Sequence, residues 1–238
     1  MKIINPSFKI INISHHDHLN FIENIARTCY KSEEKITKDS SIKFVQSLIK
    51  NGHEAMIEHV NVTVKVTCDR GVSHEIVRHR IASYAQESTR YCDYSKDKFG
   101  NELTFIKPIF WDTDDAKYHE WVRTCSTIEK SYFTMLSYCA TPQEARSVLP
   151  NSLKTEIIMT MNLREWRLFF KLRCAKGAHP QMKEIAIKML REFIEIVPVI
   201  FDDIEYDVEF ERNCLNNKEI EEMNFNSASE EKLGLGEF

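Results

Sequence analysis

The sequence predicts a single α+β domain in which helices flank a mixed or antiparallel sheet. Residues 59–68 (HVNVTVKVTC) alternate apolar and polar side chains with the period of a half-buried strand. Helical patterns lie on both sides of this strand, but strands and helices do not alternate along the chain as a doubly wound parallel sheet requires. Residues 1–201 contain no internal repeat and no linker rich in Pro, Gly or Ser. We therefore expect one domain over residues 1–201, followed by an acidic tail over residues 202–238.

Two amphipathic helices are predicted before this strand. Apolar side chains recur at helical spacing over residues 17–31 and again over residues 39–51. Gly52 suits the position just after the second helix, where a left-handed backbone is common. After the strand, residues 69–71 (DRG) predict a turn and residues 72–79 (VSHEIVRH) a short helix.

The middle of the chain predicts one short strand and more helix. Residues 102–107 have the composition of a strand, and residues 112–140 predict one or two helices. Pro142 suits the first position of a short helix over residues 142–150, because a proline there loses no intrahelical hydrogen bond.

The last predicted elements are a strand and two helices. Residues 153–161 predict a strand that leads directly to Asn162. Asn162 and Glu165 form an N-cap and N3 pair for a helix over residues 163–174. A proline then begins a helix over residues 180–198.

Charge is distributed unevenly along the chain. The 238 residues have a net charge of −4. Residues 202–238 carry twelve acidic residues against three basic ones, which gives −9, so the other residues sum to +5. A mildly cationic body suits small anionic ligands, but it is not basic enough to predict a nucleic-acid groove.

The cysteine pattern and the N-terminus indicate the compartment. The seven cysteines form no C-x-x-C pair, and their odd number cannot all pair within one chain. This pattern predicts free thiols in a reducing compartment and argues against zinc bound by cysteines. No apolar run reaches the roughly 18 residues of a membrane span, and the N-terminus lacks the features of a secretory signal. We expect a cytoplasmic protein.

Glycine-rich phosphate loops are absent from the sequence. The six glycines form neither G-x-G-x-x-G nor G-x-x-x-x-G-K, which excludes Rossmann and P-loop cradles. If phosphate groups bind to this chain, arginine side chains must hold them.

The segment EIVRHRIASYAQESTRYC, residues 75–92, gathers Arg78, His79, Arg80 and Arg90. At about 6 Å and an effective dielectric near 20, each like pair repels by roughly 3 kcal/mol, so the cluster needs carboxylates or an anionic ligand to offset it. One interpretation is a solvated helix end with Arg–Glu pairs, for which Glu75 and Glu87 are the local partners. The interleaved apolar residues Ile81, Ala82, Tyr84 and Ala85 favour a partly buried site instead.

A second basic segment follows Asn162. Residues 162–173 (NLREWRLFFKLR) place Arg164, Arg167, Lys171 and Arg173 on a helix whose apolar residues can face the core. A structural role competes with binding here, since Arg173 lies near a helix C-terminus, where the helix dipole favours a cation.

Two other chemistries receive little support. Residues 52–59 (GHEAMIEH) resemble a zinc motif, but His53 and His59 would project about 240° apart around a helix, so we expect no metal. Ser88 lacks the sequence context of a nucleophilic serine, and a hydrogen-bonding role is favoured.

The segment RHRIASYAQES resembles the signature of flavin-dependent thymidylate synthases, which is Arg-His-Arg, seven residues, then Ser. NGHEAMIEH, EARSVLPNSLKTE and NLREW are similar to further blocks of that family, and the likeness spans about residues 1–200. The resemblance implies an FAD enzyme that reductively methylates deoxyuridylate (dUMP) to thymidylate (dTMP). Methylenetetrahydrofolate would supply the carbon and NADPH the reducing equivalents. It also implies a homotetramer with sites between subunits.

Position by position, the resemblance implies one set of flavin contacts, one set of deoxyuridylate contacts and two catalytic residues, Arg173 and Ser88. Its flavin contacts fall on His53, Ala55, Arg78, His79, Arg80, Gln86, Asn162, Leu163, Arg164 and Leu168. Its deoxyuridylate contacts fall on Glu75, Ile76, Val77, Arg78, Gln86, Glu87, Ser88, Thr89, Arg90, Arg146 and Arg173.

The implied chemistry gives Arg173 the main electrostatic role. Its guanidinium, aimed at the uracil imide nitrogen, would favour the deprotonated or enolate-like ring and so activate carbon 5. Ser88 would position or polarise the ring. Hydride chemistry would belong to the flavin.

Three positions depart from the family pattern: Leu168 replaces a polar residue, and Glu75 and Gln86 differ from some members. Glu75 would repel a phosphate-bearing ligand unless Arg78 or His74 neutralises it. The alternatives left open are a nucleic-acid-binding module that uses Arg, His and Tyr, and an inactive scaffold.

Overall fold

The computed structural model of the chain describes residues 1–216, so most of the predicted acidic tail lies outside the described residues. In chain order the strands are β1 Lys2–Ile4, β2 Ser7–Ile13, β3 Asn61–Asp69, β4 Ser83–Gln86, β5 Thr104–Ile106 and β6 Lys154–Asn162. The α-helices are α1 His18–Thr28, α2 Ser40–Lys50, α3 Arg70–Ile76, α4 Ala116–Ser137, α5 Pro142–Ala145, α6 Leu163–Arg173, α7 Pro180–Ile196 and α8 Val208–Phe210. A 3₁₀ segment, Glu54–His59, leads into β3.

A four-stranded antiparallel sheet in the order β2-β3-β6-β4 forms the centre of the fold. β3 and β6 are in register from Asn61 opposite Asn162 to Asp69 opposite Lys154. One face is apolar: Val62, Val64, Val66 and Cys68 of β3 are fully buried there. The strand predicted over residues 59–68 is therefore confirmed, including the face that it buries.

Helices α6 and α7 cover this apolar face. Trp166, Phe169 and Phe170 of α6 and Phe193 of α7 are fully buried and pack ring against ring. Each such ring contributes roughly 2–3 kcal/mol by leaving water. This packing holds both ends of α6 in place, which matters because the two ends carry candidate site residues.

A second, smaller core lies under α4 and a two-stranded parallel sheet formed by β1 and β5. Leu103, Phe105 and Tyr132 are fully buried in it. The antiparallel central sheet with flanking helices confirms the predicted fold class, and the parallel β1–β5 pair accounts for its mixed character.

Most predicted helices are confirmed at their caps. Gly52 follows α2 with a φ of 71°. Pro142 begins α5 behind a capping box of Thr141 and Glu144. Asn162 Oδ1 accepts a hydrogen bond from the Glu165 N–H at 2.9 Å. The predicted strand over 102–107 appears as β5, and residues 112–140 contain the single helix α4.

One predicted turn was wrong, and three strands were not predicted. The predicted turn over residues 69–71 is the start of α3, because Asp69 Oδ1 accepts from the Val72 N–H at 2.7 Å and caps a helix. Strands β1, β2 and β4 were not predicted. A register shift between Ile10 and Asn12 breaks the alternation in β2, and β4 is a short, largely exposed edge strand with no apolar face.

Residues 202–216, the described start of the predicted tail, pack on the body. Asp203 forms a bidentate pair with buried Arg167 of α6, and Asp207 accepts from Lys183 at 2.8 Å. The boundary after residue 201 stays a prediction. In the described part of the chain no helix combines the length and apolar composition needed to cross a membrane.

Candidate active site

The Arg-His-Arg segment is a loop held at both ends. α3 ends at Ile76, and β4 then pairs with β6 at the edge of the sheet. Tyr84 of β4 lies with its hydroxyl 2.9 Å from the Ile76 carbonyl oxygen and 2.6 Å from that of His79, to which it donates. Burial raises the pKa of Tyr84 to about 12, so it stays a donor at neutral pH. The loop is thus a braced turn between a helix and a strand.

Arg173, at the end of α6, reaches this loop and forms three hydrogen bonds with it and with the end of α3. Its Nη1 donates to Glu75 Oε2 at 2.8 Å, its Nη2 to the Glu75 carbonyl oxygen at 2.9 Å, and its Nε to His79 Nε2 at 3.0 Å. On its other side, His79 Nδ1 lies 3.3 Å from Glu165 Oε1. Glu75, Arg173, His79 and Glu165 therefore form one continuous hydrogen-bonded chain.

The contacts define the protonation state of His79. Arg173 Nε can only donate, so His79 Nε2 must accept and carries no proton, and the proton sits on Nδ1, which donates to Glu165. Burial, followed by the Arg173 charge, lowers the pKa of His79 to about 4, which agrees with a neutral ring. The ring is 4 % exposed and packs against Phe169 at 4.9 Å between centroids.

The negative charge of Glu75 is neutralised within the protein. The sequence interpretation assigned its neutralisation to Arg78 or His74, but its partner is Arg173. Glu87 pairs with Lys154 at 2.9 Å and accepts from the Tyr94 hydroxyl at 2.9 Å. The carboxylates of the motif therefore offset cations from α6 and β6 and not the neighbouring arginines.

The remaining arginines of the predicted site point to solvent. Arg78, Arg80 and Arg90 are exposed, as is Arg146 at the end of α5. Arg90 lies 5.3 Å above the Tyr91 ring. Three cavities of the described chain are lined neither by these arginines nor by Arg173.

Ser88 forms a compact turn that presents Arg90. The Ser88 carbonyl oxygen accepts from the N–H groups of Tyr91 and Cys92 at 3.2 and 2.9 Å, and its Oγ accepts from the Arg90 N–H at 3.3 Å. No imidazole or carboxylate of the described chain is hydrogen-bonded to Ser88 Oγ, so it has no base there to activate it as a nucleophile.

A groove of about 450 Å³ runs along the start of α6. Asn162, Arg164 and Leu168 line it, and Ile81 of the Arg-His-Arg loop faces them across it. Arg164 Nη1 donates to Glu58 at 2.5 Å. Ile81 and Leu168 are 69 % and 46 % exposed, so the groove offers free apolar surface beside polar groups.

A second groove, of about 740 Å³, lies between α1 and α2. His53 and Ala55 line one end of it. The 3₁₀ segment Glu54–His59 contributes residues to both grooves, and its Glu54 accepts from Arg167 at 2.9 Å.

Several predicted contact residues have side chains that face the protein. Ile76 and Leu163 are fully buried and Thr89 is 7 % exposed, so these residues can offer a ligand only main-chain groups. The side-chain amide of Gln86 donates to Ser73 Oγ at 2.9 Å and is directed toward the protein. By contrast, Val77 is 40 % exposed.

Sequence reasoning missed two features of this region. Glu165 was identified only as a helix-capping residue, and its contact with His79 joins positions 86 residues apart. An aromatic cleft of about 450 Å³ was also missed; its walls include Phe110, Trp111 and Trp121, and Glu75 lies at its edge. Within residues 1–216 no three His, Cys, Asp or Glu side chains converge as a metal site requires.

Comparisons with known proteins decide the family. Residues 11–199 match the family model described as thymidylate synthase complementing protein. A flavin-dependent thymidylate synthase of Pyrococcus furiosus is 35% identical over 174 residues, which are 71% of this chain and 70% of that protein. The chain belongs to the flavin-dependent thymidylate synthase family.

Other members of the flavin-dependent thymidylate synthase family and one solved structure agree. The enzyme of Geobacter sulfurreducens is 32% identical over 185 residues, 75% of this chain and 78% of that protein. A UMP/dUMP methylase from Streptomyces cacaoi, solved with 5-Br dUMP, superposes with a TM-score of 0.70 at 21% identity over 85% of this chain and 96% of that one. The methylase shows that the fold is shared.

Proposed function

We propose that this chain is an FAD-dependent thymidylate synthase that methylates deoxyuridylate to thymidylate. Methylenetetrahydrofolate serves as the carbon donor and NADPH as the reductant. Family membership supports the reaction, and the observation that carries it to named atoms is the Arg173 guanidinium held between Glu75 and His79. The nucleic-acid-binding alternative is not favoured by any of the relatives.

Arg173 is the group that activates the pyrimidine in this proposal. A guanidinium has one N–H on Nε and two on each Nη. The contacts with His79 and Glu75 use one N–H of each nitrogen, so one N–H on each Nη remains to meet the uracil imide edge. A cation already oriented in a partly desolvated site stabilises negative charge on the ring without reorganising, which is typically worth several kcal/mol. The charged ring is then nucleophilic at carbon 5.

The phosphate of deoxyuridylate needs further cations. Exposed Arg90 and Arg146 suit this role because a guanidinium fork matches phosphate geometry. Because they are exposed to solvent in one subunit, whereas the Arg173 side chain is only 16 % exposed, we propose that two subunits of a homotetramer complete each site. Ser88 then orients Arg90 and contacts the substrate and does not attack it.

The residues of the α6 groove fit a flavin. Its exposed apolar surfaces, Ile81 and Leu168, suit the faces of a planar ring, and Asn162 and Arg164 supply polar contacts for its edge. Exposed Arg78 and Arg80 suit the pyrophosphate, and His53 and Ala55 extend the surface toward the second groove. Bound FAD supplies the hydride chemistry. Leu168 gives an apolar contact where relatives were expected to offer a polar one.

Two further points remain part of the proposal. The catalytic body comprises residues 1–201, with residues 202–238 as an acidic tail, and the reaction takes place in the cytoplasm. The free cysteines support a reducing compartment.

Thymidylate formation tests the function directly. The purified chain is incubated with deoxyuridylate, methylenetetrahydrofolate, NADPH and FAD, and thymidylate is measured against reactions that lack one component. We expect yellow protein with a flavin absorbance band and product only when all components are present. Formation of no thymidylate by flavin-loaded protein would contradict the proposal.

A further inference from the structure

Glu165 is a buried carboxylate without a cationic partner. It is 6 % exposed, and among residues 1–216 no lysine or arginine pairs with it. Its main-chain N–H serves the helix cap, so its carboxylate is not needed to begin α6. A buried carboxylate without a cation is costly, and burial raises its pKa. Its place in the first turn of α6 suits a carboxylate because of the helix dipole, and the residue also lines the α6 groove.

The carboxylate does have one directed contact, with His79 Nδ1 at 3.3 Å. A neutral imidazole carries its proton on either nitrogen, and the hydrogen bond made by one nitrogen selects the state of the other. A hydrogen-bond acceptor beside Nδ1 keeps the proton on Nδ1 and leaves Nε2 unprotonated, with a lone pair that can accept. Without this acceptor the proton can move to Nε2, where it would face the Arg173 Nε–H at 3.0 Å, donor against donor.

The orientation of Arg173 therefore depends on a residue that it does not touch. Glu75 holds one edge of the guanidinium, through Nη1 and Nη2, and the His79 lone pair holds Nε. Glu75 alone leaves the group free to tilt about the line that joins Nη1 and Nη2, whereas the additional contact at Nε fixes its plane.

We propose that Glu165 is a positioning residue that acts through the His79 ring to fix the Arg173 guanidinium in the plane that meets the substrate imide. The inference rests on the proposed function, because it concerns the same site. In this proposal the His79 side chain binds Arg173, so any contact of His79 with flavin is made by its main chain.

A double-mutant cycle tests the coupling. The dissociation constant of deoxyuridylate is measured by titration of the flavin-loaded protein. Losing a hydrogen bond that holds a charged group is worth about one power of ten, so we expect Glu165→Ala to weaken binding roughly tenfold. Glu165→Gln keeps an acceptor for Nδ1–H and should remain within about threefold of wild type. In an Arg173→Ala background, Glu165→Ala should add less than about twofold.

A matched control separates positioning from general stability. Glu129 of α4 is also a largely buried carboxylate, and it accepts from the Leu103 N–H at 2.9 Å in the second core. Glu129→Ala should lower the melting temperature and leave the deoxyuridylate dissociation constant unchanged. Equal weakening by Glu165→Ala in both backgrounds, or no weakening in either, would overturn the inference.

A spectroscopic measurement on wild type covers the case in which variants do not fold. Nitrogen NMR of protein labelled at histidine distinguishes a protonated ring nitrogen from a bare one, and His79→Gln identifies the signal. A proton on Nδ1 and a bare Nε2 are expected, and a proton on Nε2 overturns the inference. If wild type binds no deoxyuridylate, the proposed function fails, while this measurement still decides whether the Glu165–His79–Arg173 chain exists.

Discussion

Replacing Arg173 by alanine tests the central electrostatic argument. The Arg173 side chain is 16 % exposed, and its removal deletes the cation that pairs with Glu75 and that we propose for the substrate ring. Removing one pre-oriented group that stabilises developing charge typically lowers kcat by about 10²–10³. The Glu75 carboxylate then stands unneutralised beside an anionic nucleotide, so the dissociation constant of deoxyuridylate should also rise.

The fold should survive this change. The ion pair is partly solvated, with Glu75 27 % exposed, so its loss is discounted to about 1–2 kcal/mol of unfolding free energy. For a chain of this size that corresponds to a fall of roughly 3–6 °C in melting temperature. Flavin should remain bound, because Arg173 is not among the residues that line the α6 groove.

The assay measures thymidylate formation, flavin absorbance and melting temperature on the same preparations. Arg173→Lys keeps the charge but lacks the planar fork, so it should recover only part of the activity. Arg123→Ala is the control, since Arg123 is 70 % exposed and pairs with neighbouring Glu120 on α4. Turnover near wild type in folded, flavin-loaded Arg173→Ala would refute the role given to this guanidinium.

The other predictions concern phosphate binding, stability and pH. Arg90→Ala should weaken deoxyuridylate binding by about tenfold or more while leaving the melting temperature unchanged, and titration with deoxyuridine, which lacks the phosphate, should show no such loss. Arg167 is 2 % exposed and pairs bidentately with Asp203, so Arg167→Leu should lower the unfolding free energy by about 3 kcal/mol in urea denaturation, discounted because Asp203 is 52 % exposed. A loss below about 1 kcal/mol would show that this network is not structural. The pKa of His79 is about 4 in the folded chain against an ordinary 6.5, so the unfolded chain binds its proton first as pH falls. Its contribution is fully present above pH 6.5 and is lost between about 6.5 and 4, on the order of 2–3 kcal/mol. The raised pKa of Glu165 opposes part of this slope, so the comparison is with His79→Gln, whose stability should fall less steeply over that range; parallel curves would contradict the assignment.

Local chemistry in the sequence was enough to predict much of the architecture. The alternation that forms β3, the Asn162 cap of α6 and the Pro142 start of α5 each depend on residues a few positions apart, and each is confirmed. The Asp69 cap was read as a turn because both begin with an aspartate that accepts a nearby N–H. Strand β4 was missed because its four residues show no apolar alternation, and its conformation depends on pairing with β6.

The partner of each charged side chain could not be predicted from neighbouring residues in the same way. Helix α6 carries three arginines that look alike in the sequence. Arg164 is exposed beside Glu58, Arg167 is buried between Glu54 and Asp203, and Arg173 joins Glu75 and His79.

The arrangement of elements around α6 decides these differences. Helical periodicity states which residues share a face, but a charge is stabilised through space by whatever the folded chain places opposite it. Glu75 and Arg173 are 98 positions apart and meet only because β6 and α6 pack against β3 and α3. The motif and the family are therefore properties of local sequence, whereas the orientation of the Arg173 guanidinium is a property of the tertiary structure.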